Sequence, residues 1–542
     1  MGDIAQPLMD HPGSKGIQPS VSGISVMSGV GVMVGAAAYS PLMLYAVWGG
    51  QMSRGYRLAL VVVSIVATLT VLSLLIARRT GSRARVFAGV GICWLVISIG
   101  GNLADRLPLG RVPSALVVLG LAGLAGWLIY RLGEWRVLAP LATVLAVVLI
   151  GSPAVEIGAM LLSGGQPMVP VRDSDTLSAP AVDEPSGPDV WFIVLDAYPA
   201  SSVLADTYGF SGGHLGKSLA GLGFDVNPDA LSPYGSTLLS MPSLMDGEYI
   251  AGGAAAIGPS DLRGIRLRVS GRNEFMDALR SLGYRLTVVE NGWRFVGCDE
   301  GVQTCVPAPI FGEAMGYLTN RSVFGRLTGF DQDYAFVRGA EASLDWMRHH
   351  AALVDANGVP DVVFLHVLAP HPPLFLGADC SRPELDGSRR GLALASHGTD
   401  DETRANRRRL FVDQVICISQ TVVQLVESLR DDTIVAIVGD HGPDSFGQLE
   451  VDPKEWTSEM TRERLLTLAA VRLPDSCPAD LISTMGVLLA VENCLTGSDR
   501  ALPPLKAFGV GLEAGSIFTV VPVEGERLEH LLDIAGSYTA TE

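Results

Sequence analysis

Apolar positions fall into two regimes along this 542-residue chain. Residues 1–165 hold five long apolar runs, roughly Val26–Trp48, Leu58–Ala77, Val86–Leu103, Val112–Tyr130 and Val137–Leu162. A helix needs about 20 mostly apolar residues to cross a bilayer. Charges fall between the runs, with Glu156 the exception. Membrane spans are therefore expected in place of a buried soluble bundle. After residue 188 the pattern changes. Short β-branched runs at Val190–Leu195, Leu286–Val289, Val362–Val367 and Ile434–Val438 alternate with helical stretches at Asn273–Leu282, Tyr334–His350 and Asn406–Leu429. Strands that are apolar throughout, separated by helices, predict a mostly parallel sheet covered on both faces.

These regimes divide the chain. Residues 1–165 read as a helical transmembrane domain. Residues 166–188, rich in Pro, Ser, Gly and Asp, read as a linker. Residues 189–522 read as an α/β catalytic ectodomain, and residues 523–542 as a loosely held C-terminal tail.

Charge follows the same division. Residues 1–165 carry 11 Lys+Arg against 5 Asp+Glu, and the remainder 28 against 51. An acidic ectodomain argues against nucleic acid as a partner, because that needs a basic footprint. Steering of an anionic substrate must then be local, as from a bound metal. Arg78, Arg79, Arg83, Arg85, Arg131 and Arg136 lie in two loops, against Arg54, Arg57, Arg106 and Arg111 in the alternate ones. The positive-inside rule puts the first group in the cytoplasm and everything after the fifth run outside. The first run is too long for a cleaved signal peptide and reads as a retained anchor.

Cysteine usage agrees with an oxidising compartment. Cys93 lies inside a span, and Cys298, Cys305, Cys380, Cys417, Cys477 and Cys494 lie in the ectodomain. An even number outside suggests three disulfides. Fifteen connectivities are open to six cysteines, and pairing of neighbours in sequence is the expectation.

The chemistry concentrates at strand ends. DVWFIVLDAYP ends at Asp196, DVVFLHVLAPHPP near His371, and TIVAIVGDHGPD at Asp440-His441-Gly442. Ligands bind at the carboxyl ends of strands in open α/β sheets. Asp, His and Asp-His delivered to one edge point to a catalytic metal centre. Between the first and second of these strand ends lies LSPYGSTLLSMPSLMDGEY, where Thr237, Ser240 and Pro242 form T-x-x-S-x-P. Ser and Pro there suit a helix start, with Ser240 as its cap. A hydroxyl at a helix N-terminus faces free N–H groups and the positive end of the dipole. Metal coordination would make it a nucleophile. Taken alone, the segment reads as an ordinary capped helix. His366 lies within its strand and reads first as a core histidine. With Asn291, Trp293, Glu290 and His214 it is a candidate to line a substrate pocket.

Taken in order, IVLDAYP, T-x-x-S-x-P, the H-P-P segment and GDHG resemble the alkaline phosphatase/sulfatase superfamily over about residues 189–500. Within it the chain looks most like membrane-anchored lipoteichoic acid synthase-like and phosphoethanolamine transferase-like proteins. The resemblance implies that Asp196, Thr237, Asp440 and His441 hold one divalent metal ion, with Thr237 the nucleophile. It implies that His371 contacts the substrate or leaving group. These donors do not choose between Mn2+, Mg2+ and Zn2+. Sulfatases mature the first residue of C/S-x-P-x-R, and Leu244 stands where that Arg is required, which disfavours sulfatase activity. No full second-metal set is assignable.

The expected function is an integral-membrane, metal-dependent phosphotransferase or phosphodiesterase outside the cytoplasmic membrane. It would move a head group such as phosphoglycerol or phosphoethanolamine from a membrane lipid donor to an envelope glycan or lipid acceptor, through a phospho-threonine. The rivals are a phosphoester or sulfate-ester hydrolase of the same superfamily, and a non-catalytic envelope scaffold.

Overall fold

The computed structural model describes residues 21–48, 56–131, 135–162, 187–211, 215–258, 261–298, 301–308, 312–328, 332–354, 359–382, 401–513 and 517–537. The expected linker lies outside these, apart from residues 187–188, and so does His214. The chain divides into two compact units, Met1–Met43 with Arg57–Val155, and Leu44–Tyr56 with Glu156–Glu542.

The N-terminal region is helical over Val21–Trp48, Tyr56–Thr80, Arg83–Ile99, Arg111–Arg131 and Trp135–Leu162. The first, second, fourth and fifth of these are long and apolar enough to cross a membrane. The third apolar run is broken. Its helix stops at Ile99 and resumes as the short Gly101–Asp105. Leu60, Val63, Leu116, Leu121, Val144 and Val147 point outward, an apolar exterior suited to lipid. Inside this unit Gly89 and Gly126 let two backbones meet. A Cβ on Gly89 would come 2.8 Å from the Gly126 carbonyl oxygen, the small-residue contact common between membrane helices.

The second unit is α/β, as expected. Among the described residues ten strands occur in chain order: β1 (Val190–Leu195), β2 (Asp225–Leu231), β3 (Ala255–Ile257), β4 (Arg285–Val289), β5 (Thr304–Val306), β6 (Asp361–Val367), β7 (Ile434–Gly439), β8 (Leu466–Arg472), β9 (Phe508–Glu513) and β10 (Ile517–Pro522). Seven form one sheet in the order β2-β8-β7-β1-β6-β4-β5. The run β7-β1-β6-β4-β5 is parallel, and β8 and β2 add antiparallel pairs at one side. A separate antiparallel sheet of β3, β10 and β9 carries the last strands.

Both faces of the large sheet are covered, which explains why β1 and β7 carry no polar side chain and why β6 is apolar apart from Asp361 and His366. Ile193, Leu195, Leu365 and Ile437 pack on one side against Phe411, Val415, Ile418 and Val422 of helix Asp401–Ser428. That helix is also long and apolar enough to span a membrane, yet its apolar side chains fill the sheet core. Val194, Phe364 and Val438 pack on the other side against Met241, Leu244 and Met245 of helix Thr237–Asp246.

The C-terminal stretch is not a loose tail. Residues Glu526–Gly536 form a helix, Leu531 and Ala535 are buried, and Asn227 Nδ2 donates to the Ala535 carbonyl at 3.0 Å. The polar face of this short amphipathic helix conceals its docking in the sequence. Disulfides join Cys298 to Cys305, Cys380 to Cys417, and Cys477 to Cys494.

Candidate metal centre at the carboxyl edge of the sheet

Strands β6, β1 and β7 are adjacent, and their register aligns Val194 with His366 and Val438. Side chains alternate faces along a strand. Continuing that alternation by two residues puts Asp196 and Asp440 on the face that carries His366. The same face receives the helix that begins at Thr237. Four segments distant in sequence thereby converge at one carboxyl edge, where open α/β sheets bind ligands.

Two buried carboxylates face each other there. Asp440 Oδ1 accepts from the backbone N–H groups of Ala197 at 3.0 Å and His441 at 2.9 Å. Ala197 reaches it with φ of 58°, a left-handed conformation that a non-glycine residue adopts at some cost. Asp440 Oδ2 and Asp196 Oδ1 are buried with no hydrogen-bond partner. Both lie near His441 Nε2, at 3.4 Å and 3.8 Å. Thr237 Oγ1 is 3.0 Å from the same nitrogen. His441 Nδ1 lies 2.8 Å from the Gly442 carbonyl. That oxygen can only accept, so the ring proton sits on Nδ1 and Nε2 presents a lone pair. Gly442 is required for the turn, since a Cβ there would lie 1.8 Å from the Glu463 carbonyl oxygen.

Electrostatics point the same way. Burial pushes the Asp196 carboxyl up to about 7, against the pull of Arg464 and Thr237. Burial and then the Asp196 charge raise Asp440. Burial, then Arg464, holds His441 well below the ordinary imidazole range. Two buried acids in contact resist ionisation until a cation joins them. A divalent metal would supply the missing partner for both orphaned oxygens, with His441 Nε2 and Thr237 Oγ1 as further donors. The residues therefore fit the metal that the resemblance implies.

His366 is buried beside this cluster, with Nε2 at 3.6 Å from Asp196 Oδ2. Atoms of Asp196, His366 and Asp440 come within 4.8 Å of one another. The ring proton argues against His366 as a ligand. Asn291 Oδ1 accepts from the Trp293 N–H at 3.0 Å, so its Nδ2 faces the His366 carbonyl at 2.8 Å and Nδ1 at 3.1 Å. Nδ1 then accepts, and Nε2–H points towards the site as a donor. Burial, then His371, lowers the His366 pKa to about 3, so the ring stays neutral. Trp293 sits 5.3 Å from the His366 ring, centroid to centroid.

His371 follows β6 and is tied to the edge by its backbone N–H, which donates to the Asp196 carbonyl at 3.0 Å. Its Nδ1 donates to the Pro372 carbonyl. Burial is the main cause that lowers its pKa, leaving Nε2 a neutral base. Glu290 serves structure, accepting from the N–H groups of Cys298 and Ala308.

Ser240 does not cap the helix. The helix begins earlier, at Thr237, with Ser236 as N-cap and Pro242 inside it. The Ser240 N–H already donates to the Ser236 carbonyl at 2.9 Å. Its hydroxyl donates to the Tyr234 carbonyl at 2.7 Å. Thr237 itself is therefore the first helical residue, at the positive end of the dipole.

One residue escaped sequence reasoning. Arg464 is buried, and it donates through Nε to the Gly235 carbonyl at 2.7 Å and through Nη1 to the Gly442 carbonyl at 2.9 Å. It ties the turn before Thr237 to the turn after His441. Nothing in TSEMTRERLL separates it from Arg462, which ion-pairs with Asp206 at 2.8 Å.

No family model matches the chain, and no curated protein matches it. Solved structures are similar at low identity. The integral membrane lipooligosaccharide phosphoethanolamine transferase A of Neisseria meningitidis aligns with 84% of this chain and 89% of its own, at 13% identity and a TM-score of 0.33. An alkaline phosphatase superfamily protein of Vibrio parahaemolyticus aligns with 67% of this chain and 90% of its own, at 12% identity and a TM-score of 0.35. A 2-O GAG sulfatase aligns with 60% of this chain and 78% of its own, at 13% identity and a TM-score of 0.36.

Proposed function

We propose that this chain is an integral-membrane, metal-dependent phosphotransferase or phosphodiesterase, with its catalytic domain outside the cytoplasmic membrane. The observation that carries the reading is the pair of buried, unpartnered oxygens, Asp196 Oδ1 and Asp440 Oδ2, around His441 Nε2 and Thr237 Oγ1. Four donors from three segments, without a cation, leave buried charge uncompensated. The apolar N-terminal helices support the membrane location. The ordered motifs support phosphoryl chemistry over sulfate-ester chemistry, since Leu244 replaces the arginine of the maturation motif.

When bound, the metal would lower the pKa of the Thr237 hydroxyl and offset charge on the phosphoryl oxygens. Thr237 Oγ1 attacks the phosphorus of a lipid phosphodiester. The P–O bond to the lipid breaks, and the leaving oxygen gains the proton that Thr237 lost. The head group then rests on Thr237 as a phosphodiester. His366 Nε2–H donates to a phosphoryl oxygen. His371 Nε2 takes the proton of the acceptor hydroxyl as its oxygen attacks phosphorus; the P–O bond to Thr237 breaks, and the proton returns from His371 to Thr237 Oγ1. The acceptor is an envelope glycan or lipid, or water in the hydrolytic variant. Asn291 fixes the His366 tautomer, and Trp293 walls the pocket.

The test is incubation of the metal-loaded full chain with phosphatidylethanolamine and phosphatidylglycerol vesicles, then peptide mass spectrometry. A head-group phosphodiester on the Thr237 peptide is expected. No adduct, together with no divalent metal in the purified protein, would favour the scaffold reading.

A further inference from the structure

Beside the metal centre a cleft is lined by Arg404, Arg407 and Arg408 together with Tyr208 and Phe411. Pro372 and Pro443 line it as well, so it borders the segments that carry His371 and His441. The arginines recur at helical spacing in Asp401–Ser428 and share one face. Of the 28 Lys+Arg after residue 165, four fall within residues 404–409, in a region with 51 acidic residues. Asp444 is the one carboxylate among the described lining residues. Arg407 is buried, and its charge interacts with Asp444 and Glu463. Arg404 is exposed and Arg408 half-buried, so both are more open to solvent than Arg407. Tyr208 and Phe411 stack at 4.8 Å, an aromatic floor of the kind on which sugar rings or acyl carbons pack.

We propose that this cleft is the acceptor subsite, and that it takes an anionic acceptor carrying a phosphate or carboxylate beside the hydroxyl to be modified. The proposal rests on the phosphotransferase reading above. Two features assign the cleft to the acceptor rather than the donor. The donor phosphate belongs at the metal centre, and Pro372 in the lining brings the cleft next to His371, the base that receives the acceptor proton. Guanidinium groups bind phosphate and carboxylate in bidentate geometry, and a basic cleft in an acidic domain concentrates anions where they react.

Binding is measured on the full chain in detergent, stripped of metal with EDTA so that the metal centre holds no anion. The probes are inorganic phosphate, glucose 1-phosphate and glucuronate, with glucose as the neutral control. Wild type is expected to bind the three anions and not glucose. Arg404→Ala/Arg408→Ala is expected to weaken anion binding about tenfold or more, and Arg404→Lys/Arg408→Lys to restore part of it. Circular dichroism checks that the variants fold. If glucuronate alone fails to bind, the acceptor is phosphorylated; if glucose 1-phosphate and inorganic phosphate fail, it is a carboxylate. Anion binding that is unchanged in the alanine pair, or absent in wild type, overturns the subsite. In steady state with a phospholipid donor, the pair should raise the KM for glucose 1-phosphate. A rise confined to the KM of the lipid would assign the cleft to the donor and also overturn the proposal. The Thr237 adduct and the metal content are read separately, so failure of the subsite is distinguishable from failure of the enzyme reading.

Discussion

Thr237 Oγ1 lies 3.0 Å from His441 Nε2, while the Nδ1–H of the same imidazole is spent on the Gly442 carbonyl. The imidazole therefore enters the site as a neutral donor beside the nucleophile. Removing it should empty the site without unfolding the domain, because His441 follows β7 and lies outside its apolar run. We expect His441→Ala and Asp440→Asn to lose metal, by elemental analysis, and activity, with circular dichroism unchanged. Full metal occupancy in His441→Ala would sink the ligand assignment.

The nucleophile is separable from its neighbour. Thr237→Ala should abolish turnover of an aryl phosphodiester and of lipid donors. Ser240→Ala should leave the Thr237 adduct intact. It removes one of the two hydroxyls that donate to the Tyr234 carbonyl, the other being Ser232, and should cost stability of about 1 kcal/mol, read as a lower denaturation midpoint. An adduct that maps to Ser240 would refute the mechanism.

Stability should depend on pH through the metal. Asp196 and Asp440 shift from 3.8 to about 7 in the metal-free fold. Their contribution is fully present below 3.8 and lost as pH rises through about 7. His366 and His441 are lowered, so their contribution is present above 6.5 and lost as pH falls. The two sets oppose each other in the metal-free protein. Metal binding needs ionised carboxyls and neutral imidazoles, so both sets favour it at higher pH. The Tm gain on adding Mn2+ or Zn2+ should be larger at pH 8 than at pH 5. An equal gain at both would contradict carboxylate ligation.

Arg464 should act through the groups it faces. Its charge lowers the pKa of Asp196 and of His441. In Arg464→Met both should rise, and the acid limb of the pH–rate profile should move to higher pH. The Gly235 carbonyl would lose its donor, at roughly 1–3 kcal/mol, while the Gly442 carbonyl would keep the His441 Nδ1–H. Arg464→Lys should recover part of the pH profile. Loss of stability with an unmoved profile would reduce Arg464 to a brace.

The bonded cysteines and the arginine loops make a joint test of sidedness. Cys298, Cys305, Cys380, Cys417, Cys477 and Cys494 should resist alkylation in intact cells until reductant is added. A C-terminal reporter should be active only outside the cytoplasm. Labelling of all six without reductant would remove the oxidising compartment.

What the sequence determined by itself was local. Runs such as Ile434–Val438 announce buried strands because each residue must be apolar when both faces are covered. Asp196 and Asp440-His441 announce themselves as polar residues directly after such runs. The paired neighbours Cys298 and Cys305 are legible for a similar reason, since they lie seven positions apart. Tertiary structure decided whatever depends on residues far apart in the chain. His366 sits mid-strand and looks like core. Only the pairing of β1 with β6 sets it opposite Val194 and brings its Nε2 to Asp196. Asn291 acquires meaning only because it fixes the tautomer of a ring 75 positions away. Ser240 looked like a cap, but the helix begins where Arg464, 229 positions from Gly235, holds the preceding turn. Composition and periodicity record which face a residue turns to its own element. They do not record which distant backbone carbonyl or carboxylate that face will meet.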